Sequence, residues 1–293
     1  MPFTLAHPAA VLPLLRRPFV PAALIAGAMA PDVPYFLGAL GLSATSHTWY
    51  EPLTNATTSH SVTGTFTVDL IFTAGLLVLY RLLRGPVLAL CPPAWGVQEE
   101  APTAAEGFLG YGKQVMWLLV SALIGIASHL AWDLVTDTGL LPGNILTYVN
   151  TAVGLAAIGI YLWRHRDRLH TSPDGHDRLS PAKRWSVVGA LALAGVLGAM
   201  ARFQGFAAYR YTTETNFDQP TTQTLPGGAS ITTYPERMVE ASWGSAVQGF
   251  LYDIAKGAVA GLAVALLAYG IAWQVSRVLR RRTDNSELAN NPA

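Results

Sequence analysis

Val115–Thr136 reads VMWLLVSALIGIASHLAWDLVT. This apolar run is long enough to cross a bilayer, which needs about 20 such residues, and it closes on Ser128, His129, Asp133 and Thr136. His129 and Asp133 are four residues apart, so on a helix they share one face, with Cβ atoms roughly 6 Å apart. Ionisable groups in a segment built for lipid are expensive and point to function by default. The competing reading is a polar anchor at a helix end, or a buried hydrogen-bond pair. The rest of the chain has to weigh the two.

Of 293 residues, 51% are hydrophobic and only 13% charged, against about 25% charged in a soluble domain. A net charge of +1 with no strongly basic domain argues against a nucleic-acid role. Cys91 is the single cysteine, so no internal disulfide forms. Arg16 and Arg17 follow the apolar stretch Phe3–Leu15 instead of preceding it, unlike a signal peptide. The composition predicts an all-α integral membrane protein. About six transmembrane helices are expected, near residues 20–41, 63–80, 115–135, 148–163, 186–206 and 249–275, the first broken between Pro31 and Pro34. No internal repeat is evident, which removes the inverted-repeat signature of a transporter.

The positive charges alternate along these spans. Residues 1–19 carry Arg16 and Arg17; 81–114 carry Arg81, Arg84 and Lys113; 164–185 carry six Lys or Arg; and the tail carries Arg277, Arg280, Arg281 and Arg282. Residues 42–62 and 136–147 carry none; only Arg202, Arg210 and Arg237 depart from the alternation, around a long segment where the rule is weak. This is the positive-inside pattern with both termini cytoplasmic. Prolines 86, 92, 93 and 102 predict a loop over 81–114. His165, His170 and His176 lie in a charged linker with Pro173-Asp174-Gly175 and read as solvated. Residues 207–248 form the largest polar segment, outside the membrane, with Thr221–Leu225 and Ala229–Tyr234 flanking Pro226-Gly227-Gly228 as a short β-hairpin; the segment would cap the outer face, bind a protein partner or be a disordered loop. In the last span, Gly257 and Gly261 allow close helix packing, and Asp253 and Lys256 read as a self-neutralising pair. Polar composition predicts disorder over 283–293. The chain thus divides into a membrane domain with the His/Asp motifs (1–145), further spans with a basic loop (146–206), the outer segment (207–248), the last span (249–282) and the tail.

This topology puts His129 and Asp133 near the outer end of the third span. Asp32, held between prolines, and His47 and His60, in the first outer connection, fall on the same side. Irregular backbone at membrane depth is tolerated where it is buried in protein or lines a wet cavity. Asp32, His60, His129 and Asp133 are therefore expected to converge. Imidazole and carboxylate are the ligands of a zinc or similar divalent site, which lowers the pKa of bound water for hydrolysis. His7 enters this site only if residues 3–15 fold back as a re-entrant segment. Asp69 is expected to face another helix, bonded to a serine or threonine.

Met1-Pro2-Phe3-Thr4 with His7, Gly27–Asp32 with Tyr35-Phe36-Leu37, Ser59-His60-Ser61 with Gly64 and Asp69, and Gly125–Asp133 resemble a bacterial membrane family catalogued as domain of unknown function 4184. The likeness in motifs covers residues 1–145. That family in turn resembles inner-membrane metal-dependent hydrolases, whose Ser-His-x-x-x-Asp-x-x-Thr-x-x-Gly is complete here in Ser128, His129, Asp133, Thr136 and Gly139. Pro34 stands where their motif has a second Asp, and Asn55 where it has a first His. The His-x-x-x-Asp helix also resembles, in site chemistry, the metal-binding helix of zinc-dependent phospholipase C. The resemblance implies a divalent metal, zinc foremost, held by His7, Asp32, His60, His129 and Asp133. His47 would be a proton donor or substitute ligand, with Ser61, Asp69, Ser128 and Thr136 around them. The substrate would be a phosphoester or other ester, lipid-linked or otherwise reachable from the membrane lipids at the outer interface. The alternative is a non-enzymatic protein in which the same groups form a structural hydrogen-bond network.

Overall fold

The computed structural model describes residues 4–39, 42, 48–90, 107–136, 145–165, 179–203, 205–224 and 230–290. The chain forms two compact units: Met1–Val188 with Leu266–Ala293, and Gly189–Ala265.

The first unit opens with a 3-10 helix, Thr4–Leu14. Eleven residues is long for this geometry; Pro8 and Pro13 remove the N–H groups an α-helix would need. Helix α1 (Pro21–Met29) starts with proline at its first position, where the missing N–H does no harm. A 3-10 turn, Ala30–Asp32, with Pro31 in its first turn, follows it, and then α2 (Val33–Ala39). Three one-turn helices come next: α3 (Glu51–Thr54), α4 (Ala56–Ser59) and α5 (Val62–Thr65). Asn55 caps α4 by accepting from the Thr57 N–H, and Ser61 caps α5 by accepting from that of Gly64. A Cβ on Gly64 would lie 1.9 Å from the Thr58 carbonyl oxygen, so only glycine fits this turn. Long helices follow: α6 (Val68–Leu90), α7 (Gly107–Thr136), α8 (Ile145–Arg164), α9 (Pro181–Ala201) and α10 (Trp243–Asn290), the last two shared with the second unit.

Among the described residues, four segments are long and apolar enough to cross a membrane: Val62–Leu90, Gly110–Thr136, Pro181–Ala201 and Trp243–Leu279. The segment at 20–41 is not among them; it is broken where the sequence predicts, into two short helices around a 3-10 turn, because Pro31 and Pro34 interrupt the ladder. Two sequence expectations change. Helix α6 runs through Pro86 to Leu90, where a loop was expected. Proline at 86 leaves the Leu82 carbonyl without its i+4 donor, and the Gln274 side chain supplies one at 3.1 Å. Helix α10 continues to Asn290, into the tail whose composition predicts disorder.

Helices α1 and α7 touch backbone to backbone. A Cβ on Gly27 would lie 2.3 Å from the Ala122 carbonyl oxygen, and one on Gly125 would lie 2.3 Å from that of Leu24. Val11, Leu24 and Ala28 form the buried apolar core beside them, joined by Leu14, Phe19 and Ile124. The 3-10 helix Thr4–Leu14 packs on α8, where Gly154 makes room for Ala6.

In the second unit, the expected hairpin is present as β2 (Thr221–Thr224) paired antiparallel with β3 (Ser230–Thr233). A second antiparallel pair, β1 (Tyr211–Thr215) with β4 (Glu236–Glu240), was not foreseen. Gly198 of α9 meets Gly257 and Gly261 of α10 in the close contact their spacing predicts. Asp253 and Lys256 do not pair. Asp253 accepts from the Tyr209 hydroxyl at 2.8 Å, and the Lys256 ammonium lies over the Tyr252 ring.

Candidate metal centre

The site is built by four stretches of the first unit. The Ala30–Asp32 turn breaks the helix so that Asp32 turns inward and is 3% exposed. The end of α4 carries His60, held to the turn through Ser59, whose hydroxyl donates to the Pro31 carbonyl at 2.6 Å. The last two turns of α7 present His129 and Asp133 on one face, as their i, i+4 spacing requires. The 3-10 helix Thr4–Leu14 brings in His7, fully buried and stacked on His129 with ring centroids 3.9 Å apart.

Four atoms meet with no hydrogen-bond partner: Asp32 Oδ1, His60 Nε2, His129 Nε2 and Asp133 Oδ2. His129 Nε2 lies 3.5 Å from Asp32 Oδ1 and 3.3 Å from Asp133 Oδ2; His60 Nε2 lies 3.8 and 3.4 Å from the same two oxygens. The remaining atom of each group is occupied. His129 Nδ1 donates to the Ala28 carbonyl and His60 Nδ1 to that of Ala56, each at 2.9 Å. A carbonyl only accepts, so both Nδ1 atoms carry a proton, and in its neutral form each ring turns a lone pair on Nε2 toward the carboxylates. Asp32 Oδ2 accepts from the Thr4 hydroxyl at 2.5 Å, and Asp133 Oδ1 faces His7 Nε2 at 3.2 Å.

Lone pairs facing carboxylate oxygens repel unless a cation lies between them. A proton on each Nε2 would draw the oxygens to about 2.7–2.9 Å, the length of charge-assisted N–H···O bonds. Tetrahedral ligands at roughly 2.0–2.1 Å from zinc are separated by about 3.3 Å. The four separations, 3.3–3.8 Å, fall nearer the second pattern. The fixing of each outer atom by a carbonyl, a hydroxyl or another ring is also what metal ligands require of their surroundings. The ligand atoms of His60, His129 and Asp133 lie within 4.8 Å of one another, and so do those of His7, Asp32 and His129. Burial pulls the His60 imidazole pKa down, but the facing Asp133 carboxylate and the Ala56 carbonyl outweigh it and leave the pKa above its ordinary value.

The remaining candidates lie elsewhere. His47 falls outside the described residues. Ser61 caps α5, and Ser128 donates to the Gly125 carbonyl of its own helix. Thr136 accepts from Asn150 at 2.9 Å and so ties α7 to α8. Asp69 is fully buried, but both carboxylate oxygens lack the serine or threonine partner that was expected: Thr73 donates to the Asp69 backbone carbonyl instead. Thr4 and Ser59 were missed by sequence reasoning. Thr4 stands beside His7 in a motif that was already quoted, but a single hydroxyl carries no pattern of its own.

No curated protein and no solved structure matches the chain. The family model described as domain of unknown function (DUF4184) matches residues 1–271, well past the 1–145 that the motifs cover, and the chain belongs to that family.

Proposed function

We propose that Asp32, His60, His129 and Asp133 hold a divalent metal ion, zinc foremost, and that the chain is a membrane-embedded hydrolase of a phosphoester or other ester. The observation that carries this reading is the convergence of four buried, partnerless ligand atoms whose outer atoms are all fixed. Thr4 and His7 are the supports: Thr4 orients Asp32, and His7 orients Asp133. A divalent ion held there would polarise an ester or phosphoryl oxygen and lower the pKa of a bound water. The chain's own part is to shield the centre on one side, through buried His7 and His129, and to leave access at His60. The alternating charges of the sequence support both termini in the cytoplasm and the centre at the outer side of a bacterial cytoplasmic membrane.

Elemental mass spectrometry on protein purified in detergent without chelator tests this. Near-stoichiometric metal is expected in the wild type, with at least a tenfold loss in His129→Ala and Asp133→Ala. Full retention in both variants would sink the reading. The His7–Asp133 and Thr4–Asp32 contacts, which join the N-terminal segment to α7 and to the broken turn, favour a second reading as a structural network. In that case no metal is found in a well-folded wild type, and attention moves to residues 207–248 and a protein partner.

A further inference from the structure

The centre opens at one edge. The His7 and His129 side chains are 0% exposed and that of Asp32 4%, whereas Asp133 is 8% and His60 20% exposed. His60 sits among α2, α3 and α4, helices of four to seven residues that cannot span a bilayer by themselves, and α5, which opens the apolar segment Val62–Leu90. Large apolar side chains turn outward here. Tyr35, with its ring 6.2 Å from that of His60, is half exposed; Phe36, Val62 and Phe66 are exposed too, as is Leu134, next to Asp133. Val62, Phe66 and Leu134 belong to segments long and apolar enough to cross a membrane, so the apolar face that meets lipid reaches the edge of the polar opening.

The charge pattern narrows what that opening takes. The sequence has no Lys or Arg between Arg17 and Arg81, and none between Lys113 and Arg164. All stretches that build the centre and its rim lie in those two gaps, apart from the first turns of the 3-10 helix. Sites that take phosphomonoester dianions or other doubly charged soluble substrates supply Arg or Lys to pair with the charge. This rim supplies none.

We propose that the substrate is a bilayer lipid whose scissile ester or phosphodiester carries at most one negative charge. Its chains lie along Tyr35, Phe36, Val62 and Phe66, and its headgroup reaches the His60–Asp133 edge; the inference rests on the metal-centre reading above. A soluble phosphomonoester lacks both the chains for the rim and the cations it would need.

The test uses the full chain in maltoside detergent, loaded with Mn²⁺, whose unpaired electrons broaden the ³¹P resonance of any phosphorus held beside it. Dihexanoyl phosphatidylcholine is compared with glycerophosphocholine, which has the same headgroup and no chains. The lipid is expected to be broadened saturably, with half-saturation at least tenfold lower than for glycerophosphocholine. Val62→Glu with Phe66→Glu should raise the lipid's half-saturation at least tenfold while Mn²⁺ content, read by elemental analysis, stays at the wild-type value. Equal broadening of the two probes, no broadening of either, or an unchanged half-saturation in the double variant would each overturn the lipid assignment alone. Failure of the wild type to take up Mn²⁺, zinc or any other divalent ion would overturn the metal centre, and this inference with it.

Discussion

Thr4 contributes one hydroxyl, yet it holds the Asp32 oxygen that points away from the cluster, at 2.5 Å. Removing such a support typically lowers metal affinity by about 10- to 100-fold. Thr4→Val, which keeps the shape and loses the donor, should show a drop of that size in chelator competition, with an unchanged melting temperature in the metal-free state. An affinity equal to wild type would mean that Asp32 is not a ligand. His60 gives a pH dependence. Its raised pKa means that the metal-free fold gains stability from the protonated ring at low pH and loses that gain as pH rises through the raised value. Metal uptake needs the neutral ring and runs the other way, so affinity should fall as pH drops through that value, with protons released on binding. A flat affinity from pH 8 to pH 5.5 would remove His60 from the ligand set. At this scale the sequence was informative wherever spacing dictates direction. His129 and Asp133 had to share a face, and Asp32 between prolines had to leave the helix ladder. Ser61 and Ser128 show the limit: adjacency to a ligand in sequence does not decide where a hydroxyl points, and both bond to their own local backbone.

The contact between α1 and α7 is set by glycine, and the centre inherits its geometry from that contact. Ala28 of α1 supplies the carbonyl that fixes the His129 tautomer, and Gly125 lies one turn before His129 on α7. A methyl group at 125 would lie 2.3 Å from the Leu24 carbonyl oxygen and 2.8 Å from the Ala28 backbone nitrogen. Backbone cannot yield as a side-chain tip can, so Gly125→Ala must push the helices apart. Overpacking of this kind costs about 1–3 kcal/mol. The expected outcome is a lowered melting temperature together with loss of metal, although no ligand has been touched. Gly112→Ala, on the same helix with nothing within 4 Å of the added atom, should change neither. Loss of metal in both, or in neither, would break the link between helix contact and site. The long helices were legible because lipid-crossing segments are long and apolar. The break in the segment near residues 20–41 was legible from its prolines, and it falls at Ala30–Asp32. In helix α6 the same signal misleads: Pro86 signalled a break that Gln274, almost two hundred residues away in the chain, makes unnecessary. His7 was undecided for a similar reason, since its position depends on how a 3-10 segment packs against α7 and α8, and hydropathy is blind to packing.

For the whole molecule, the orientation in the membrane decides which compartment supplies the substrate. Basic residues flank every second connection, and the stretches that hold the His/Asp cluster are almost bare of them. Under the positive-inside rule this puts the native Cys91 in a cytoplasmic connection, and β2 outside. The two positions can be read independently with a membrane-impermeant maleimide on intact cells. Cys91 in the wild type should label only after lysis. Thr222→Cys in a Cys91→Ser background should label before it, since Thr222 is exposed and its strand pairing leaves the side chain at the surface. Labelling of Cys91 in intact cells, with Thr222→Cys protected, would reverse the orientation; protection of both would overturn the outer placement of β2. A reversal would place the His60 edge, at the end of α7, on the side that the charge pattern assigns to the cytoplasm. The chemistry of the cluster would survive such a reversal, because it depends on four local stretches and not on sidedness. The lipid pool would not: a centre that opens to the inner leaflet meets a different population of headgroups, so the labelling result fixes which lipids belong in the first substrate screen.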